Sequence, residues 1–190
     1  MKIRKVVVPG SLSLLLILSF ISTAATANSV LFQAVTIKTY HDIPAAEGPC
    51  TLDECEWWKQ IREAGNDLQR KGDKKSRARF LLLLSEGQRK AYHVPLADRP
   101  VQVLESITVL PMSDVIRREK IDGTVVLSVE FRSDGSVGDV KIIEGRVGWG
   151  LDEGAARAAR QAVFLPAVSD GTFVTSYLDN IKYKFSYKRD

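Results

Sequence analysis

Between Gly123 and Glu144 the chain alternates apolar and polar residues on both sides of an Asp134-Gly135 pair. No other stretch narrows the possible folds as much. Asp-Gly between alternating runs is the signature of a β-hairpin closed by a type I′ turn, which needs positive φ at both central residues. With those two residues in the turn, Ser133 faces Ser136 and the register follows. Leu127 then opposes Ile142, Val129 opposes Val140 and Phe131 opposes Gly138 on one face. Ser128 opposes Lys141 and Glu130 opposes Asp139 on the other, the second being a like-charge pair suited only to water. The pattern predicts an antiparallel sheet covered on a single side.

The cover follows in the chain. Leu151 to Val163 reads as a helix with Asp152 and Glu153 in its first turn, where the helix dipole favours acids. Leu151, Ala155, Ala158, Ala159 and Ala162 recur at helical spacing, a small-residue stripe that lets the helix lie close to a sheet. Pro166 ends the helix by restricting Leu165. After Asp170-Gly171, the odd positions Phe173, Tyr177, Ile181, Tyr183, Phe185 and Tyr187 predict one long aromatic-rich strand.

These residues carry a resemblance. Gly123-Thr-Val-Val, Phe131 before Asp134-Gly135-Ser-Val, Leu151-Asp-Glu-Gly-Ala-Ala, Phe164-Leu-Pro166-Ala167 and Gly171 stand in the order and spacing of the TonB family's C-terminal domain. Pro111, followed by a short helix to Glu119, fits the approach to that domain, so the resemblance covers about residues 104–187. It implies an α+β fold with helices packed on a small antiparallel sheet. It also implies a non-enzymatic periplasmic module that binds an outer-membrane transporter or another envelope protein and relays energy from the inner membrane. The partner's extended segment would lie along the last strand, at Tyr177, Leu178, Asn180, Lys182 and Lys184. Ile181, Tyr183 and Phe185 are expected to point into the core, with Leu178, Asn180, Lys182 and Lys184 opposite. Read as edge strand alone, Lys182 and Lys184 equally fit charges that discourage pairing.

At the other end, Lys2, Arg4 and Lys5 precede an apolar run from Val6 to Ile21 and an Ala25-Thr26-Ala27 site. That is the build of a cleaved secretory signal peptide, which places the product in the periplasm. The alternative is an uncleaved inner-membrane anchor, since Val6 to Ala27 is long enough to span a bilayer. Of the net charge of +4, the leader supplies three, so the basic pI argues for no nucleic-acid partner. The prolines number seven and are scattered, and residues 1–27 hold no histidine. An envelope structural or assembly module, using the same fold without energy transduction, is therefore the second expectation.

The middle of the chain reads as a linker over 28–49, a helical hairpin region over 50–100, and the C-terminal domain over 101–190. Val30 to Tyr40 alternates loosely. Thr51-Leu-Asp-Glu54 is a capping-box pattern that starts a helix running to about Lys71. Gly72-Asp73 breaks it, and a second helix carries Phe80 to Leu84 as far as about Tyr92. The pair is expected to bury Trp57 or Trp58 against the leucines. The basic run Arg70 to Arg79 is either a solvated helix face or a contact for anionic lipid or cell-wall polymer. Cys50 and Cys55, in an oxidising compartment, suggest a disulfide closing onto the helix cap. No serine, cysteine or metal-centre motif accompanies the two histidines, and neither a catalytic site nor a cofactor is expected. Gly145 to Gly150 is glycine-rich before a helix but lacks phosphate-loop spacing, and Trp149 is expected to tuck against the domain.

Overall fold

Thr51 starts the first helix by a reciprocal cap. Its hydroxyl accepts from the Glu54 N–H, and the Glu54 carboxylate accepts from the Thr51 N–H at 2.8 Å. Helix α1 (Leu52–Lys71) then ends at Gly72, whose φ of 62° is left-handed, and Asp73 caps α2 (Lys74–Arg89) through the Ser76 N–H. The computed structural model describes residues 41–105, 118–145 and 147–185. The leader, the alternating stretch Val30 to Tyr40, Pro111 and most of the short helix after it, and Tyr187 lie outside these residues. Only the end of that helix, Arg118 and Glu119, is described.

The two helices pack Trp57, Trp58, Ile61 and Leu68 against Phe80, Leu83 and Leu84. Both tryptophans are buried, and each indole N–H finds a carbonyl: Trp57 donates to Leu83 at 2.8 Å and Trp58 to Pro44 at 3.2 Å. The leucine run divides by helical phase, since Leu82 is exposed. Ile43, within the stretch that reads as linker, is buried in this core beside Gly65, and its N–H donates to Asn66.

A two-stranded ribbon stands between the helices and the rest. Strand β1 (Gln102–Glu105) pairs antiparallel with β4 (Val163–Leu165). Alternation along the ribbon separates two cores. Leu104, Val163 and Leu165 join the helical hairpin, whereas Phe164 joins the second core with Val103 at its margin. The expected helix through Val163 is therefore too long. Helix α3 (Leu151–Ala159) stops earlier, and the Val163-Phe-Leu165 run before Pro166 supplies a strand with partners on both faces. Strand β5 (Ala167–Ser169) then pairs β6 (Thr172–Val174) around Asp170-Gly171.

The second core is an α+β layer pair. Strands β2 (Gly123–Phe131), β3 (Val137–Glu144) and β7 (Ser176–Phe185) form an antiparallel sheet in the order β3-β2-β7. Leu151, Ala155, Ala158 and Ala159 of α3 cover its inner face, and Phe131 meets Phe164 edge-on at 4.6 Å. Leu127 pairs Ile142, Ser128 pairs Lys141 and Val129 pairs Val140, as the alternation predicts. The turn differs from expectation. Asp134 accepts from both the N–H and the hydroxyl of Ser136, and only Gly135 is left-handed, at φ 82°. With Gly135 N–H donating to the Arg132 carbonyl, the loop takes three residues rather than two. The extra residue moves Phe131 opposite Val137 instead of Gly138. Ile142 is also more open to solvent than the pairing implies, at 45% exposed.

The long last strand is broken as well. Phe173 belongs to β6, and β7 carries a bulge where Asn180 takes φ 64°. Beyond the bulge Ile181, Tyr183 and Phe185 point inward as expected, but before it the phase reverses. Leu178 packs into the core and Tyr177 is 62% exposed, the opposite of their expected faces.

Candidate functional site: the edge of the last strand

Strand β7 pairs with β2 on one side and has no other strand beside it among the described residues. It is the natural place for an added strand, because edge N–H and C=O groups point outward unpaired. Lys182 and Lys184 are exposed along it, with Asp179 and Asn180 exposed at the bulge. Of the five residues singled out from sequence, Tyr177, Asn180, Lys182 and Lys184 lie on the exposed face and Leu178 does not. Asp179-Asn180, two turn-favouring residues in mid-strand, are the sequence signal that marks the bulge. Strand β3 is the sheet's other edge, with Ile142 and Ile143 half exposed.

Beneath β7 is a cavity of about 330 Å³ that the alternation pattern does not reveal. Val129, Leu178, Ile181 and Tyr183 form its sheet wall, and Val101 and Val103 lie across from them. Ala159 and Ala162 leave room at the end of α3. His41, Arg99 and Gln102 supply the polar rim. Arg99 donates to Gln102 Oε1 at 2.8 Å, while its Nε is buried without a hydrogen-bond partner among the described residues. Burial holds the guanidinium below its usual range, against the pull of Glu47.

Burial also pushes the Tyr183 phenol up to about 12. An unfolded tyrosine ionises near pH ~10, so the fold keeps a proton that the unfolded chain gives up. The stabilisation is complete below pH ~10 and is lost as pH rises through the folded value, a change of about 2–3 kcal/mol. Urea unfolding at pH 9 and 11.5 should register about 2 kcal/mol of this loss, and Tyr183→Phe should remove most of the difference between the two.

Elsewhere the sites suggested by sequence have structural occupations. The Asp152 carboxylate accepts from the N–H groups of Val147 at 3.0 Å and Gly148 at 2.8 Å, taking the donors that a phosphate would use. Trp149 is 56% exposed rather than tucked in. Glu130 accepts from the Asp139 N–H and from Arg132, and these hold its carboxyl below the usual range. In the basic run, Arg70, Lys71 and Arg79 surround Asp67, and Arg77 turns to the Gln161 carbonyl and Glu105. Among the described residues no cluster of three His, Cys, Asp or Glu is placed to hold a metal. No described helix is long and apolar enough to cross a membrane.

Cys50 and Cys55 are joined as a disulfide, their Cα atoms 5.6 Å apart. The loop it closes is short, so its contribution should fall at or below the low end of roughly 2–4 kcal/mol. A Cys50→Ser/Cys55→Ser double variant should unfold only slightly earlier in urea. Loss of the folded state in that variant would contradict this.

Residues 113–187 match the family model described as the Gram-negative bacterial TonB protein C-terminal. They are a TonB C-terminal domain. The TonB family is periplasmic, and its members are energy transducers rather than enzymes. Two solved TonB C-terminal domains are similar to this chain. That of Helicobacter pylori is 24% identical with a TM-score of 0.32, covering 42% of this chain and 71% of its own. That of Pseudomonas aeruginosa is 21% identical with a TM-score of 0.37, covering 50% and 94%. No curated protein matches the chain. Both β7 and β2 fall inside the TonB-matched residues, whereas α1, α2 and β1 precede them.

Proposed function

We propose that residues 101–190 act as a periplasmic protein-binding module that takes an extended segment of an outer-membrane transporter along the edge of β7, in TonB-dependent transport. The observation that carries this reading is the TonB match over residues whose last strand is a sheet edge. Backbone pairing supplies the affinity in such an arrangement, and side chains supply the register. A secreted leader before Asn28 delivers the module to the same compartment as its partner.

A photoreactive amino acid at Lys182 or Lys184, with one at Lys141 on β3 as control, tests the reading in the envelope of intact cells. Cross-links from β7 to an outer-membrane transporter, identified by mass spectrometry, are the expected result. Lys182→Ala should leave the capture nearly unchanged, because the backbone does the holding. Transporter cross-links from Lys141 alone would end the proposal.

A second reading has its own observation. The helical hairpin shares a core with Leu104, Val163, Leu165 and Val168, so this TonB domain is built into a larger body. That favours an envelope assembly module without energy transduction. Under it, the cross-linked partner is another envelope protein and no transporter is captured.

A further inference from the structure

We propose that the cavity under β7 binds a free aliphatic carboxylic acid of medium length, with its tail in the apolar space and its carboxylate on Arg99. The inference goes beyond the capture of a protein segment and does not depend on it. At about 330 Å³ the space is in the range of small-ligand sites, and most of its wall is apolar. Val101 and Val103 close one side, and Val129, Leu178, Ile181 and Tyr183 close the other. Protein interiors keep few voids larger than a water molecule. An apolar one gives water few partners and takes hydrocarbon instead. With a water's share of liquid volume at about 30 Å³, the space has room for roughly ten non-hydrogen atoms, the size of octanoate.

The rim chooses the head group. The Gln102 side chain is buried and engaged at both ends, its Nε2 donating to the His41 carbonyl and its Oε1 accepting from Arg99 Nη2 at 2.8 Å. That chain of bonds steadies the guanidinium at the cavity mouth. Arg99 Nε is buried with no acceptor among the described residues, and Glu47, whose charge attracts the guanidinium, supplies none to it. A hydroxyl there would satisfy Nε and leave the cation unpaired. A carboxylate does both at once, in a charge-assisted hydrogen bond. Arg99 is the permanent cation among the described lining residues, which matches a singly charged head.

The site is built at a joint. Arg99, Val101 and Val103 precede the TonB-matched residues 113–187, whereas the sheet wall lies within them. Neither part makes the cavity alone.

The test titrates the full-length oxidised chain with hexanoate, octanoate, decanoate and dodecanoate, each below its micelle-forming concentration. Every buried methylene should tighten binding about fourfold until the space is full. Affinity should therefore climb to octanoate or decanoate and level off by dodecanoate. Octanol should bind about tenfold or more weakly than octanoate, the usual reach of a hydrogen bond to a charged group. Arg99→Gln should erase that difference and leave octanol binding unchanged. Nuclear Overhauser contacts from the octanoate chain to the methyl groups of Val103, Val129 and Ile181 should locate the tail in the unsubstituted protein.

Three results would overturn the site. They are contacts to the exposed Leu82, Ile142 or Ile143 instead, an undiminished gain per methylene through dodecanoate, and no saturable binding of any acid. Octanol or octyl phosphate equalling or exceeding octanoate overturns the carboxylate assignment and the proposal with it. So does a preference for octanoate over octanol that survives Arg99→Gln.

Discussion

Trp58→Ala should cost about 3–5 kcal/mol, the usual loss for deleting a fully buried aromatic side chain. It should lower the melting temperature by roughly 10 °C or more. Trp58 is 1% exposed, lies between α1 and the 43–44 segment, and donates its indole N–H to Pro44. The sharper expectation is where the damage appears. The ribbon of β1 and β4 shows Val163 and Leu165 to the tryptophan core and Phe164 to the sheet core, on alternate residues of one strand. A loosened hairpin therefore loosens β4, and β4 carries one wall of the sheet core. Tryptophan fluorescence and amide exchange on β2 should report a single transition that moves as one in the variant. Two separated transitions, with β2 unaffected by the substitution, would refute the coupling.

Polar contacts reinforce that coupling. The Gln88 side chain donates to the Ser133 carbonyl at the β2–β3 loop, and Arg77 bridges from α2 to Gln161 and Glu105. Gly135, at the tip of that loop, lies against Leu84. We infer that residues 50–100 and 101–190 behave as one cooperative unit, with the hairpin holding β1–β4 in place under the sheet. The consequence for binding is direct, since Val101 and Val103 form the far wall of the cavity beneath β7.

Local chemistry makes parts of this fold legible in the sequence. The Thr51–Glu54 cap, the Gly72-Asp73 break and the β2–β3 register at Leu127, Ser128 and Val129 each depend on residues close in sequence or on strict alternation. The TonB resemblance is legible for the same reason, being carried by turn and cap residues. What escapes depends on partners far along the chain. Val163 reads as helix until β1, about sixty residues earlier, is known to pair with it. Ile43 reads as linker until Gly65 makes room for it. Asp134-Gly135 reads as type I′ because the acceptance by Asp134 from Ser136 competes with the left-handed conformation only once the loop closes. At the site, the strand is visible in the alternation but its bulge inverts Tyr177 and Leu178. The cavity is hidden because its far wall, Val101 and Val103, comes from a segment well before the sheet strands in sequence.

Gly145→Ala and Gly148→Ala form a matched pair that separates backbone strain from steric collision. Both glycines are left-handed, at φ 82° and 77°, so alanine at either should lose about 1–2 kcal/mol to conformation alone. Their surroundings differ. Among the described residues, a Cβ at Gly148 meets nothing within 4 Å, while one at Gly145 would stand 3.0 Å from the Thr124 carbonyl carbon and closer still to its oxygen. Those atoms are backbone of β2, the central strand, and cannot swing aside as a side chain could. Relief requires β3 to move off β2 where it leaves the sheet, an overpacking cost of about 1–3 kcal/mol beyond the shared term. Gly145→Ala should thus lose about 2–5 kcal/mol, against about 1–2 kcal/mol for Gly148→Ala. Urea midpoints with unchanged m-values give the comparison. Amide exchange should place the added loss at the Val126–Glu144 end of the β2–β3 pairing, leaving the turn at Gly135 protected. Equal losses at the two glycines would mean that β2 yields to the new methyl group, and that the close approach at Thr124 does not fix the end of the sheet.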